Sequence, residues 1–137
     1  MLAPQDFFDL KDVKDQELFS KDEPVWTVLD RLKDYLAAFF QKSWPLAKTT
    51  GLIDKALVIY NGEVRNDLEI NTSGPNNSIW VSMKGEILEN AAVILPGAFL
   101  SNDQIIIGPG TLVEPGAFIK GPAIIGSHSE IRQGAYI

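Results

Sequence analysis

The chain has no cysteine and one histidine, His128, among its 137 residues. Without thiols it can form neither a disulfide framework nor a thiolate metal site, which fits a cytoplasmic protein. Basic residues are scarce: 12 Lys and Arg stand against 18 Asp and Glu, for a net charge of −6 with no positive cluster. Binding to nucleic acid rewards clustered Lys and Arg, so no nucleic-acid partner is expected. No apolar run approaches the roughly 20 residues of a membrane helix. The start, Met1-Leu2-Ala3-Pro4-Gln5-Asp6, lacks the charged-then-apolar order of a signal peptide, so no membrane partner is expected either. Glycine is missing before Gly51, which leaves no place there for a glycine-rich phosphate loop.

What the chain does have is a repeated phrase. Ile94-Leu95-Pro96-Gly97-Ala98-Phe99, Val113-Glu114-Pro115-Gly116-Ala117-Phe118 and Ile131-Arg132-Gln133-Gly134-Ala135-Tyr136 are three versions of it. Between them an aliphatic residue recurs every sixth position at Ile107, Val113, Ile119, Ile125, Ile131 and Ile137. A small residue follows four places after each of the first five, at Thr111, Ala117, Ala123, Ser129 and Ala135. Such a period describes short strands with the aliphatic side chain inward and the small residue at a tight corner, three strands and about eighteen residues per coil. Leu88, Ile94 and Leu100 extend the step backward, and one extra residue within Ser101–Ile106 shifts the frame and predicts a bulged corner. Leu52, Val58, Val64 and Ile70 are also six apart, which predicts one or two irregular coils with a turn-rich insertion at 72–77.

The run from Gly108 to Pro122, followed by Ile125-Gly126 and Glu130-Ile131-Arg132-Gln133-Gly134-Ala135-Tyr136-Ile137, resembles the left-handed β-helix of the hexapeptide-repeat transferases. It is most similar to proteins related to the acetyltransferase half of the bifunctional N-acetylglucosamine-1-phosphate uridyltransferase. The expected fold is therefore mainly β, a left-handed parallel β-helix with an N-terminal α-helical arm. The arm covers residues 1–50, and the β-helix is irregular over 51–87 and regular over 88–137. The resemblance implies a homotrimer, acetyl-CoA as acyl donor, and transfer to the amine of an amino-sugar phosphate or nucleotide sugar. Two alternatives stay open: a non-catalytic trimerising or regulatory domain, and a sugar-1-phosphate nucleotidyltransferase relative lacking its nucleotide-binding loop. One coil geometry serves many acceptors, so the motif specifies fold more tightly than reaction. Ile137 opens a new hexad, so the natural protein is expected to continue past it.

Family chemistry uses a histidine general base between subunits. His128, in Gly126-Ser127-His128-Ser129-Glu130, is the catalytic candidate, with Glu130 near enough in sequence to orient it. A corner histidine is more often simply solvated, and the family's acetyl-transfer histidine belongs to coils beyond the matched segment. Arg132, Glu114 and Lys120 are candidates for holding a phosphate or nucleotide. Eighteen apart, Glu114 and Arg132 are also expected to form a cross-coil ion pair. No metal is required, and a single histidine rules out the three-histidine site of the carbonic-anhydrase β-helices. Phe99, Phe118 and Tyr136 each precede an inward aliphatic, so they should stack on the outside. Ile106 and Ile124 should form a second outward column, and both columns are candidate interfaces.

The first fifty residues read differently. Val25, Val28, Leu29, Leu32, Leu36, Phe39 and Phe40 fall at three- and four-residue steps and predict an amphipathic helix over about 22–42. Ser20 with Glu23, or Asp22 ahead of Pro24, can start it, and Pro45 stops it.

Overall fold

The computed structural model describes residues 1–41, 50–72, 78–102 and 104–137. The chain divides into two compact units, Met1–Ser43 and Trp44–Ile137.

In the first unit a helix, α1, spans Val28–Phe40 behind a single 3-10 turn at Val25–Thr27. It begins later than its apolar period suggests. Pro24 takes an extended backbone (ψ 142°) and the Thr27 hydroxyl donates to the Pro24 carbonyl at 2.7 Å, so the chain makes a tight turn before the helix opens. Glu23 contributes from outside the helix, accepting from Thr27 at 3.3 Å and pairing with Arg31. On the apolar stripe Leu29 is 68% exposed, whereas Phe40 is buried. Pro45 lies outside the described residues.

The second unit is made of strands in several sheets. β1 (Gly51–Leu52), β2 (Leu57–Tyr60), β3 (Glu63–Arg65), β4 (Glu69–Asn71), β5 (Trp80–Met83) and β6 (Glu86–Ile87) come first. β7 (Ala92–Ile94), β8 (Phe99–Leu100), β9 (Ile105–Ile107), β10 (Leu112–Val113), β11 (Phe118–Ile119), β12 (Ala123–Ile125) and β13 (Glu130–Ile131) carry the repeats. These later strands pair in parallel, each with the equivalent strand of the next repeat. Val113 faces Ile94 on one side and Ile131 on the other, Phe118 faces Phe99 and Tyr136, and Ile106 faces Ile124.

The aliphatic period lands where the packing needs it. Ile94, Leu100, Ile107, Val113, Ile119 and Ile125 join Ala98, Ala117 and Ala123 in one buried cluster. Ile131 packs against that cluster but is only half-buried, because the last repeat has a neighbour on one side. Thr111 is the buried polar member of the small-residue series. Its hydroxyl donates to the Gly126 carbonyl at 2.8 Å and accepts the Ser129 N–H at 3.2 Å, so the turn above is bonded to it. The extra residue sits between Leu100 and Ile105, since Phe99 pairs nineteen positions on while Ile105 pairs eighteen on. Asn102 clips this turn, its Nδ2 donating to the Gly121 carbonyl at 2.8 Å and its Oδ1 accepting the Gln104 N–H at 3.0 Å.

Residues 51–87 do not stack as further coils. β1 runs antiparallel along β8 and β2 antiparallel along β7, and β2 folds back on β3. β4, β5 and β6 form a separate antiparallel sheet. The hairpins turn at Asn61-Gly62 and Lys84-Gly85, whose four residues all have positive φ, the geometry that two-residue hairpin loops require. Ile59 points into the repeat cluster, whereas its neighbour Val58 joins Val81, Ala91 and Val93 in a second cluster. Of the insertion expected at 72–77, positions 73–77 lie outside the described residues.

Candidate functional site

The polar candidates stand in three different turns of the repeat. His128 is in the turn that enters β13, Glu114 and Arg132 are in equivalent turns that leave β10 and β13, and Lys120 follows β11. Glu114 and Arg132 lie in adjacent repeats, near enough for the Glu114 charge to act on Arg132, whereas His128 and Lys120 stand in other turns.

Glycine packing explains where His128 goes. Its backbone N–H donates to the Pro109 carbonyl at 2.8 Å, which lays one turn over the other. A Cβ added to Gly110 would fall 2.3 Å from the His128 Nδ1, so the imidazole occupies the space that glycine leaves. His128 itself has φ +53°, a conformation that costs a residue with a Cβ. The residue as a whole is exposed. Glu130 does not orient it: both of its described hydrogen bonds come from the Arg132 guanidinium, at 2.8 and 3.1 Å.

This also corrects the expected Glu114–Arg132 pair. Arg132 takes the carboxylate two residues back in its own repeat, which needs less side-chain ordering than reaching across a repeat. Glu114 instead accepts the Gln133 N–H at 3.0 Å and caps the turn above it. Arg132 is held more firmly protonated than an ordinary guanidinium, first by its hydrogen bond to Glu130, then by the charges of Glu130 and Glu114. The side chain is 75% exposed.

The outward aromatic column forms as the repeat requires. Phe99 and Phe118 stack with ring centroids 5.0 Å apart and planes at 9°, and Phe118 and Tyr136 do so at 5.1 Å and 13°. Leu52 pairs beside Phe99, and Leu52 and Tyr136 are strongly exposed, so the strip crosses three strands and the bridge at Tyr136. Ile106 and Ile124 pair directly and are each half-buried, forming the second column.

Two features were not anticipated from the sequence. In the N-terminal unit the Tyr35 hydroxyl donates to Asp15, beside a groove of about 300 Å³ that Lys14, Glu17 and Phe39 also line. That hydrogen bond, with burial and the negative charges of Asp15 and Glu17, pushes the Tyr35 hydroxyl up to about 12. On the β4–β5–β6 sheet, Asn71 donates to Ser82, a contact hinted at only by the alternation Trp80-Val81-Ser82-Met83. Among the described residues no cluster of three His, Asp or Glu could hold a metal ion, and no helix is long and apolar enough to cross a membrane. Compared with known proteins, the chain matches no family model, and neither a curated protein nor a solved structure is similar enough to it to show a relationship.

Proposed function

We propose that residues 88–137 form a left-handed parallel β-helix of the hexapeptide-repeat class, and that the protein works as a homotrimeric acyltransferase. It moves an acetyl group from acetyl-CoA to the amine of an amino-sugar phosphate or nucleotide sugar. The observation that carries this reading is the in-register parallel stacking of the three phrase copies, with their aliphatic residues in one core. Stacked aromatics on one face and paired isoleucines on another leave apolar area that equivalent faces of two neighbours can cover around a closed threefold axis. Glu114 and Arg132 lie in adjacent turns of one chain, with His128 and Lys120 in others, so a site that joins His128 or Lys120 to that pair would be assembled between chains. In such a site Arg132 and Lys120 hold the phosphate of the acceptor.

A second reading, a non-catalytic trimerising or regulatory domain, is favoured by one observation. Glu130 bonds Arg132, so among the described residues His128 has no carboxylate to orient it as a base.

Light scattering tests the assembly: three times the 15.1 kDa chain mass is expected, and a monomer at micromolar concentration would refute it. Release of free CoA from acetyl-CoA upon addition of an amino-sugar phosphate separates the two readings. A trimer with no turnover and no acetyl-CoA binding would select the second.

A further inference from the structure

The β4–β5–β6 sheet has two unlike faces. Ile70 packs against the cluster that contains Val81, so this side is core. Register puts Glu69 opposite Ser82 and Asn71 opposite Trp80, and strand alternation places all four on the other face. Ile87, opposite Ser82, is 62% exposed there. Among the described residues Trp80 belongs to neither core cluster, and it keeps part of its surface in water. A tryptophan that the core does not use, on a face otherwise built of hydrogen-bonding groups, needs a separate explanation.

The polar groups are held in place. Ser82 is only 6% exposed; its hydroxyl accepts the Asn71 Nδ2 at 3.0 Å and donates to the Glu69 Oε2 at 3.5 Å. Among the described residues the Asn71 Oδ1 and second N–H and the Glu69 Oε1 have no further hydrogen-bond partner. An apolar indole beside an oriented amide and carboxylate complements a molecule with one apolar face and a rim of hydroxyls. A hexopyranose has that shape: its axial C–H groups form a flat apolar face and its equatorial hydroxyls lie around the edge.

We propose that this face binds a neutral saccharide, with Trp80 as the stacking platform and Asn71 and Glu69 as the hydrogen-bonding rim. Anionic sugars are disfavoured by Glu69 itself and by the net charge of −6. The proposal does not depend on the acyl-transfer reading, because it needs neither a trimer nor acetyl-CoA.

Nuclear magnetic resonance titration of the full chain with cellohexaose, chitohexaose and an oligogalacturonate tests it. A neutral oligomer should shift the Trp80 indole N–H and the Asn71 side-chain amide saturably, with a dissociation constant on the order of 1 mM, as expected for one platform and two or three hydrogen bonds. Trp80→Ala should weaken binding at least about tenfold with the unfolding midpoint unchanged, and Trp80→Phe should recover part of it. Should Trp80→Ala fail to fold, Asn71→Ala serves in its place, with an expected loss of about fivefold. Absence of saturable shifts with both neutral oligomers, shifts that survive the loss of Trp80, or tighter binding of the oligogalacturonate would each overturn the proposal.

Discussion

Gly108→Ala offers a direct test of the stacked repeat. A Cβ at Gly108 would lie 2.6 Å from both the Gly126 carbonyl carbon and the Ser127 nitrogen, and 2.7 Å from the Gly126 oxygen. All three are backbone atoms of the next repeat, which no side-chain rotation can move away. The repeats cannot separate freely either, because the Gly108 N–H donates to the Ile125 carbonyl at 2.9 Å. Forcing a methyl group into such a contact resembles overpacking a filled core, about 1–3 kcal/mol, and the backbone character of the clash places it at about 2 kcal/mol. For a unit of this size that corresponds to a fall of about 8–16 °C in the unfolding midpoint. Gly126→Ala is the control. In this chain its Cβ would meet only the Ser129 hydroxyl oxygen at 3.8 Å, and its φ is not positive. Reduced freedom of the unfolded chain should then leave it neutral or raise stability by about 0.5 kcal/mol. Thermal unfolding followed by circular dichroism reads both variants. Equal midpoints for the two would refute the stacking of Gly126-Ser127 over Gly108.

Thr111→Val keeps the shape of a buried side chain while removing the hydroxyl that bonds the Gly126 carbonyl and the Ser129 N–H, and should cost about 1–3 kcal/mol in chemical denaturation. The Tyr35 hydroxyl is raised, so its contribution to the N-terminal unit is complete below its ordinary value near 10 and is lost as pH rises through about 12. Tyrosinate absorbance should show a late-ionising tyrosine, and Asp15→Ala should bring that ionisation down toward the ordinary value; an unchanged titration would discount the hydrogen bond. His128→Ala, in an active preparation, should lower turnover far less than the roughly 10²–10⁴-fold loss of a general base. A loss of that size with intact folding would restore His128 to a catalytic role.

The regular repeats were readable because each inward aliphatic meets its equivalent in the next repeat, so one short period fixes both burial and pairing. Residues 51–87 were not readable in the same way. Six is an even number, so a six-residue step is compatible with period-two strands as well as with coils; here the Asn61-Gly62 turn interrupts it and sends Val58 to the second cluster and Val64 to the repeat cluster. The discriminating signals were Asn61-Gly62 and Lys84-Gly85, whose positive φ values mark hairpin turns. Polar pairing escaped for another reason. Stacking correctly brings the turns of Glu114 and Arg132 into adjacent repeats, but the choice among nearby carboxylates depends on tether length and on which N–H groups lack partners. Glu130 was nearer for Arg132, and the Gln133 N–H needed Glu114. The Trp80, Asn71, Glu69 and Ser82 face was invisible because strand pairing across the β4–β5 turn assembles it.

The supernumerary residue between Leu100 and Ile105 has a consequence for how the chain finds its own alignment. A uniformly periodic stack is degenerate: displacing it by a whole repeat preserves every aliphatic contact and nearly every hydrogen bond, so competing arrangements differ little in energy. A single longer turn removes that degeneracy. Only one alignment lets Asn102 reach across to the Gly121 carbonyl while its own turn closes on the Gln104 N–H. Gly121 enforces the choice, since a Cβ there would also meet the Gln104 carbonyl oxygen at 2.7 Å. The irregularity thus acts as an address label, giving otherwise interchangeable repeats distinct positions.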